Sequence, residues 1–349
     1  MKIGKITRVV APLALAGALV LTGCSTATEE APAGNGGTTD APTIALSNSF
    51  IGNAWRSTMV DNVMISSDEA VAAGLAEPIK VVNSNNDVAE QISQMQSLIL
   101  EQPDVILVLA ASPTALNGVI QSACDAGIIV VAFDASVTAE CAYKLAPDWV
   151  SFGRETMGVV AEKMGGTGNV VLVRGVDGTD VDLGMYEGWT TELSENYPDI
   201  NVVGEVNGNW DDATTQSAVS GILSTAGQVD GVMAYVSSYG VVQAFEAANL
   251  PLPVVYGSNQ GTFLKWWAEE NEASGYSTES AMEGPSISQA AYWIGVALAN
   301  GEEFDKNLVY PTFTITDETV AEFAASTAPD GFADEVWTQE SVMQQWPSN

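Results

Sequence analysis

The sequence of 349 residues contains no histidine. Histidine is the commonest general base at neutral pH and the commonest ligand of transition metals, so its absence excludes Ser-His-Asp and Cys-His enzymes. Basic residues are also scarce, because 11 Lys and Arg stand against 44 Asp and Glu, for a net charge of −33. A chain this acidic repels phosphate backbones, and nucleic acid is therefore not an expected partner.

Hydrophobic runs of membrane-spanning length are missing too, and the apolar run near the N-terminus is short. It covers Val9 to Leu21 and follows three basic residues, Lys2, Lys5 and Arg8. This order is typical of a secretory signal peptide. The run continues into a Leu-Thr-Gly-Cys sequence ending at Cys24, which resembles a bacterial lipobox. We therefore expect a signal peptide over residues 1–23 and lipidation of Cys24; an ordinary secretory signal with an incidental cysteine is the alternative.

The segment that follows has the composition of a linker. Residues 24–42 are rich in Thr, Ala, Gly and Pro and show no apolar periodicity. Such a segment cannot bury enough apolar surface to offset its chain entropy, so we expect a disordered tether. From Thr43 onward we expect an extracytoplasmic body, lipid-anchored to the cell membrane. Its length of about 300 residues is enough for two lobes with separate cores.

Cysteine is the third scarce residue type, with three in the chain. Cys124 and Cys141 are the two that lie in the body. In an oxidising compartment such a pair is interpreted as a structural disulfide, and a reactive thiol pair is the alternative.

The body alternates short apolar segments with helical patterns. Val105–Ala110 and Ile128–Phe133 are continuous apolar runs, as expected for parallel strands buried on both faces. Asp87 is placed to cap one intervening helix, and Gly127 to end another. This βαβ order predicts an α/β fold with a doubly wound parallel sheet.

The same alternation starts again near Trp149 and continues to the C-terminal region. Its later part includes predicted strands over Gly275–Thr278 and Leu308–Phe313. Two similar halves in sequence predict two lobes. Because ligands of open α/β sheets bind beyond the carboxyl ends of the strands, we expect a binding cleft where the two sets of strand ends face each other.

Polar and aromatic side chains follow several predicted strand ends. The candidates for ligand binding are Asn53, Trp55, Arg56, Asp134, Asp182, Trp210, Ser237 and Asn259. Indole faces stack on the C–H face of a sugar ring, while carboxylates, amides and guanidinium groups pair with hydroxyls. The pattern therefore favours a sugar or polyol as ligand, without a cofactor.

Other roles remain open for some of these residues. Trp55 is also interpretable as a core residue, and Asn53 as a helix cap. Asp182 lies in an acidic cluster with Asp177 and Asp180, but this loop lacks the glycine and terminal glutamate of an EF-hand, so we do not expect a metal site.

In order and spacing, residues 43 to about 315 resemble a type I periplasmic-binding protein of the ribose-binding kind, the solute receptor of sugar ABC importers. Four stretches carry the resemblance: Asn53-x-Trp55-Arg56, Asn86-Asp87-x-x-x-Gln91-Ile92-x-Gln94, Ala126-Gly127-Ile128-x-Val130-Val131-x-Phe133-Asp134 and Gly208-x-Trp210-Asp211. The resemblance implies two lobes joined by a three-strand hinge. It places the N-lobe at 43–146 plus 282–308 and the C-lobe at 147–281 plus 309–349.

The resemblance also implies roles for single residues. Asn53, Trp55, Asp134 and Trp210 match the family's ligand-binding amide, aromatic, carboxylate and second aromatic. Arg56 stands where ribose receptors have an aromatic, Ser237 falls near an Asn position, and Asn259 falls near an Asp position. Two arginines of the family pattern are missing, since Ala135 follows Asp134 and the stretch from Asp180 to Leu183 contains none. A pentose, a deoxysugar or a sugar alcohol remains open as ligand.

The expected function is therefore that of a monomeric, non-enzymatic solute-binding lipoprotein. It would capture its ligand by hinge closure and deliver it to an ABC permease in the membrane. A receptor of the same fold that feeds a sensor or chemoreceptor is the alternative. A glycosidase that uses two carboxylates needs no histidine, but the fold argues against it.

Overall fold

The structure is a computed structural model that describes residues 41–347. The predicted signal peptide, Cys24 and nearly all of the tether lie outside these residues. The strands are β1 (Ile44–Asn48), β2 (Lys80–Asn83), β3 (Val105–Leu109), β4 (Ile129–Phe133), β5 (Tyr143–Ala146), β6 (Gly168–Arg174), β7 (Ile200–Asn207), β8 (Gly231–Ala234), β9 (Val254–Val255), β10 (Ser280–Met282), β11 (Asn307–Val309) and β12 (Phe313–Ile315).

Helices connect most of these strands. They are α1 (Ala54–Ala72), α2 (Val88–Glu101), α3 (Asn117–Asp125), α4 (Trp149–Lys163), α5 (Asp180–Asn196), α6 (Asp212–Ala226), α7 (Ser238–Ala247), α8 (Gly261–Ser274), α9 (Ile287–Ala299), α10 (Val320–Ser326) and α11 (Gln339–Gln345). The predicted Asp87 cap is confirmed, because its carboxylate accepts the backbone N–H groups of Ala89 and Glu90. Gly127 has a φ of 82° just past α3, as a helix-ending glycine requires.

Two parallel sheets form two lobes, as predicted. The first has the order β11-β5-β4-β3-β1-β2, and the second has the order β7-β6-β8-β9. Helices α1 and α9 cover one face of the first sheet, and α2 and α3 cover the other. In both sheets the connections reverse direction beside the first strand of the lobe, at β1/β3 and β6/β8. These are the points where open α/β sheets bind ligands.

The end of the chain differs from the prediction. The single strand expected over Leu308–Phe313 is two strands, because Pro311 between them has no N–H for a ladder hydrogen bond. β11 joins the first sheet beside β5, and β12 pairs antiparallel with β10. The strand expected over Gly275–Thr278 lies later, at β10, because Gly275 ends α8 in the left-handed conformation.

The chain passes between the two sheets three times. It leaves the first sheet after Ala146, returns to it with β11, and leaves it again towards β12. On the return path, α9 is buried along its whole length from Ile287 to Leu298 and packs on β3 and β4. These three crossing segments connect the two lobes.

The C-terminal segment contacts both lobes, although the sequence placed all of 309–349 in the second. Trp337 donates a hydrogen bond from Nε1 to the hydroxyl of Tyr310, at 2.7 Å, and its ring stacks on Trp346 with centroids 5.1 Å apart. α11 packs against α9. In the other direction, the backbone carbonyl of Ala333 accepts a hydrogen bond from Asn259, at 3.3 Å.

Cys124 and Cys141 form the predicted disulfide, with Cα atoms 6.4 Å apart. The bond joins the end of α3 to the segment before β5. Among residues 41–347, no helix combines the length and the apolar character needed to cross a bilayer.

Replacing both cysteines with serine should lower the free energy of unfolding. The bond closes a loop of 17 residues, and loop entropy for that length corresponds to about 3 kcal/mol. Urea denaturation of the Cys124→Ser/Cys141→Ser variant measures this, with dithiothreitol-treated wild type as the control that should match it. A loss below about 1 kcal/mol would contradict a stabilising role.

Candidate ligand-binding cleft

A narrow cavity lies between the two sheets, where their strand ends meet. Residues from both lobes and from the crossing segment after β10 line it. They are Asn53, Trp55, Arg56, Asp134, Val181, Trp210, Tyr235, Val236 and Glu283. The topology thus brings five of the sequence candidates together, from positions up to 157 residues apart.

A buried ion pair forms one wall of the cavity. Arg56, in the first turn of α1, has Nη2 3.1 Å from Oδ2 of Asp134, and both side chains are 6% exposed. Its guanidinium carbon also lies 5.1 Å from the ring centroid of Trp55. Burial raises the pKa of Asp134 to about 6, although Arg56 opposes that rise. Nη1 of Arg56 is buried without a hydrogen-bond partner among the described residues, so one donor of the pair remains for a ligand.

Glu283, just after β10, forms the wall between the lobes and is 1% exposed. Its backbone is held from both sides. The carbonyl accepts Nε1–H of Trp55 at 3.3 Å, and the N–H donates to the hydroxyl of Tyr235 at 3.3 Å. Burial raises the pKa of its carboxyl well above the usual range, and the nearby carboxylates Asp134 and Asp334 add to the rise.

Asn53 has two roles at once. Its Oδ1 accepts the backbone N–H of Arg56 at 2.9 Å and caps α1, which is the alternative that the sequence left open. Its Nδ2 donates across the cleft to the carbonyl of Trp210, at 3.5 Å. The cap therefore fixes the amide in the orientation that faces the second lobe.

Trp210 lines the cavity from the second lobe. It has a φ of 55°, which turns it at the end of β7. Its indole lies against Gly175, where a Cβ atom would be only 2.1 Å from the ring. Glycine at the end of β6 is therefore needed for the indole to reach this place.

Tyr235 completes the aromatic wall and is 4% exposed. It makes edge-to-face contacts with Trp149 and Phe152, with centroids 6.1 and 5.7 Å apart. Trp149 also donates Nε1–H to the carbonyl of Asp134, at 3.3 Å. This packing joins the start of α4 to the ends of β4 and β8.

The structure does not bring three sequence candidates into the cavity. Ser237 accepts a hydrogen bond from Thr215 of α6 at 2.8 Å. Asn259 donates to the carbonyls of Phe313 and Ala333 and thereby holds the C-terminal segment. In each case the side chain is engaged by a structural partner.

Asp182, the third of these candidates, pairs with Arg174. Its Oδ1 accepts from Nε of Arg174 at 3.0 Å and from the backbone N–H of Gly175 at 2.9 Å. Its neighbour Val181 lines the cavity instead. Within residues 41–347, no cluster of three or more acidic or cysteine side chains is arranged to hold a metal ion.

Sequence reasoning missed Tyr235, Val236 and Glu283. Tyr235 and Val236 directly follow β8, so a rule that takes the residues after every strand end would find them. Glu283 gave no such signal, because the strand before it was placed over Gly275–Thr278 and its contacts come from distant segments.

Comparison with known proteins agrees with this arrangement. Residues 44–303 match the family model described as a periplasmic binding protein domain. A crystal structure of an ABC transporter solute-binding protein from Thermobispora bispora is 40% identical, with a TM-score of 0.82 over 87% of this chain and 94% of that one. The chain therefore belongs to the periplasmic binding protein family. Its homologues named here are solute-binding proteins and not enzymes.

Two curated relatives carry ligand names. The xylitol-binding protein of Mycolicibacterium smegmatis is 29% identical over 245 residues, which is 68% of each chain. The ribose import binding protein of Haemophilus influenzae is 22% identical over 216 residues, covering 61% of this chain and 72% of the relative.

Replacing Asp134 with asparagine should strongly destabilise the protein. Loss of one partner from a buried pair leaves the other charge uncompensated, at a cost of about 3–5 kcal/mol. The matched control is Glu101→Gln, which breaks the exposed Lys80–Glu101 pair and should cost about 0–1 kcal/mol. Urea denaturation measures the loss of unfolding free energy in each variant. Equal losses would show that the Arg56–Asp134 pair is not buried as described.

Proposed function

We propose that this chain is an extracytoplasmic solute receptor that closes on a small, uncharged sugar or polyol and delivers it to an ABC permease. The observation that carries the proposal is the buried Arg56–Asp134 pair, which lines a cavity between the two lobes and in which Nη1 of Arg56 has no partner among the described residues. A guanidinium and a carboxylate side by side offer donors and acceptors to adjacent hydroxyls of one ligand.

The residues that line the cavity support a sugar or polyol as ligand. The indole of Trp210 offers a flat surface to C–H groups, as sugar sites require. Ala135 and the stretch from Asp180 to Leu183 stand where ribose receptors have arginines, which favours a ligand with fewer charged contacts than ribose makes. Together with the name of the xylitol-binding relative, this favours a sugar alcohol.

The proposed mechanism is closure of the lobes, with 43–146 plus 282–308 moving against 147–281, while the residues from 309 onward contact both lobes. The hydrogen bond from Asn53 to Trp210 is one contact of the closed form. A ligand that touches Arg56 on one side and Trp210 on the other binds the closed form better, and so shifts the population towards it.

The proposed location follows from the N-terminal sequence. Lipidation of Cys24 would hold the protein at the membrane, and residues 24–42 would act as the tether. A tether of this length keeps the receptor close to a membrane-embedded permease and raises its effective concentration there.

A thermal-shift screen of uncharged sugars and polyols, with xylitol and ribose included, should identify a ligand that raises the melting temperature, because binding to the native state alone stabilises it. Replacing Trp210 with alanine should weaken that ligand by about tenfold or more, since the stacking surface is lost. Isothermal titration calorimetry measures the affinities. The control is Trp266→Ala. The indole of Trp266 lies on α8 and donates a hydrogen bond to Glu246, so its loss should leave binding unchanged. The absence of any hit in the panel would contradict the proposal.

Replacing Cys24 with serine should release the protein from the membrane. Without the thiol no acyl chain can be attached, and the body should appear in the soluble extracytoplasmic fraction. Membrane fractionation with immunoblotting measures this, and Ser25→Ala is the matched control that should stay bound. If the Cys24→Ser variant remains with the membrane, the anchor lies elsewhere.

A further inference from the structure

Glu283 has a buried carboxyl group without a hydrogen-bond partner for Oε1 among the described residues. Its backbone cannot move away from the cavity, because Trp55 of the first lobe and Tyr235 of the second hold it on both sides. A buried polar atom that the fold leaves unpaired at a ligand cavity is a position for a ligand contact.

The charges around Glu283 decide what kind of contact it makes. The ionisable groups that face it are Arg56 on α1, Asp134 after β4, Tyr235 after β8 and Asp334 in the C-terminal segment. Arg56 is already paired with Asp134 at 3.1 Å. The carboxylate of Asp334 accepts backbone N–H groups of Ser286 and Glu335, both at 2.8 Å, and pairs with no Lys or Arg among residues 41–347. An ionised Glu283 would add a second negative charge to the cavity lining, in a place that water does not reach. Among residues 41–347, the cation that faces it is Arg56, which Asp134 already neutralises.

We propose that Glu283 holds a proton in the resting site and donates it in a hydrogen bond to a ligand hydroxyl, so that the side chains lining the cavity carry no net charge and the site selects uncharged polyols over amino sugars and sugar acids. This inference rests on the proposed function and specifies its substrate class. Arg56 and Asp134 cancel, and the protonated carboxyl adds a donor without adding charge. An ionised Glu283 would instead leave one excess negative charge and favour a cationic ligand.

The test compares wild type with Glu283→Gln and Glu283→Ala by calorimetry, with three probes: xylitol, 1-amino-1-deoxyxylitol and xylonate. If xylitol does not bind, the uncharged ligand identified in the thermal-shift screen is used instead, together with its amino derivative and its acid derivative. Glutamine keeps a neutral donor, so Glu283→Gln should bind the uncharged probe within about threefold of wild type at neutral pH, whereas Glu283→Ala should lose about tenfold. The amine and the acid should both bind wild type more weakly than the uncharged probe.

The pH profile gives a second readout. Both wild type and Glu283→Gln should lose affinity as the pH falls below about 6, where Asp134 takes up a proton and releases Arg56. At alkaline pH wild type alone should weaken, approaching about tenfold for each pH unit once Glu283 ionises. Glu283→Gln should stay constant there, because it has no proton to lose.

The outcomes separate the two proposals. Failure of wild type to bind any uncharged polyol contradicts the proposed function. Binding of the polyol by wild type, together with tighter binding of the amine or a loss of about tenfold in Glu283→Gln, overturns the inference about the proton alone. Since glutamine is nearly isosteric and uncharged, Glu283→Gln decides the question even if the alanine variant does not fold.

Discussion

Arg56 and Asp134 form an ion pair that almost no water reaches, and its burial constrains how the surrounding residues are arranged. A buried charge persists only when it is paired and its remaining hydrogen-bond capacity is met. The capped first turn of α1 brings the guanidinium to the end of β4, and the face of Trp55 lies along it. The pair joins two strands of the first sheet across β3, which lies between them.

Burial of polar groups makes the site selective for its ligand and lowers the stability of the empty protein. The fold leaves one nitrogen of Arg56 and one oxygen of Glu283 unpaired, in a cavity whose remaining walls are largely aromatic or aliphatic. Under the proposed function, a ligand with adjacent hydroxyl groups would supply the missing partners. Affinity in such a site comes from the polar groups that the empty protein cannot satisfy, whereas the apolar walls set which shapes fit.

Local patterns were sufficient for much of the fold and for one side of the site. Continuous apolar runs such as Val105–Leu109 are buried strands because both faces of a parallel sheet are covered, and this leaves a clear trace in sequence. Residues that follow a strand end, such as Asp134, are placed by that topology alone. The resemblance to a known family supplied Trp210.

Two of the sequence candidates lie outside the cavity for the same physical reason. Asn259 and Asp182 are polar residues near strand ends, yet each is engaged by a partner that only the tertiary structure brings close: the carbonyl of Ala333 in one case and the guanidinium of Arg174 in the other. Glu283 was missed for the opposite reason. Its importance comes from burial next to other carboxylates, and a lone glutamate between short apolar segments carries no sign of that.

The late position of β11 and α9 has a consequence for biogenesis. Both complete the lobe that begins at residue 44, but they come from residues 287–309. When the chain emerges from a ribosome or a translocon, the first sheet therefore lacks its edge strand and one of its covering helices until nearly the whole sequence has appeared. Until then the earlier segments keep apolar surface exposed and cannot complete their fold. This favours export as an unfolded chain and folding after release.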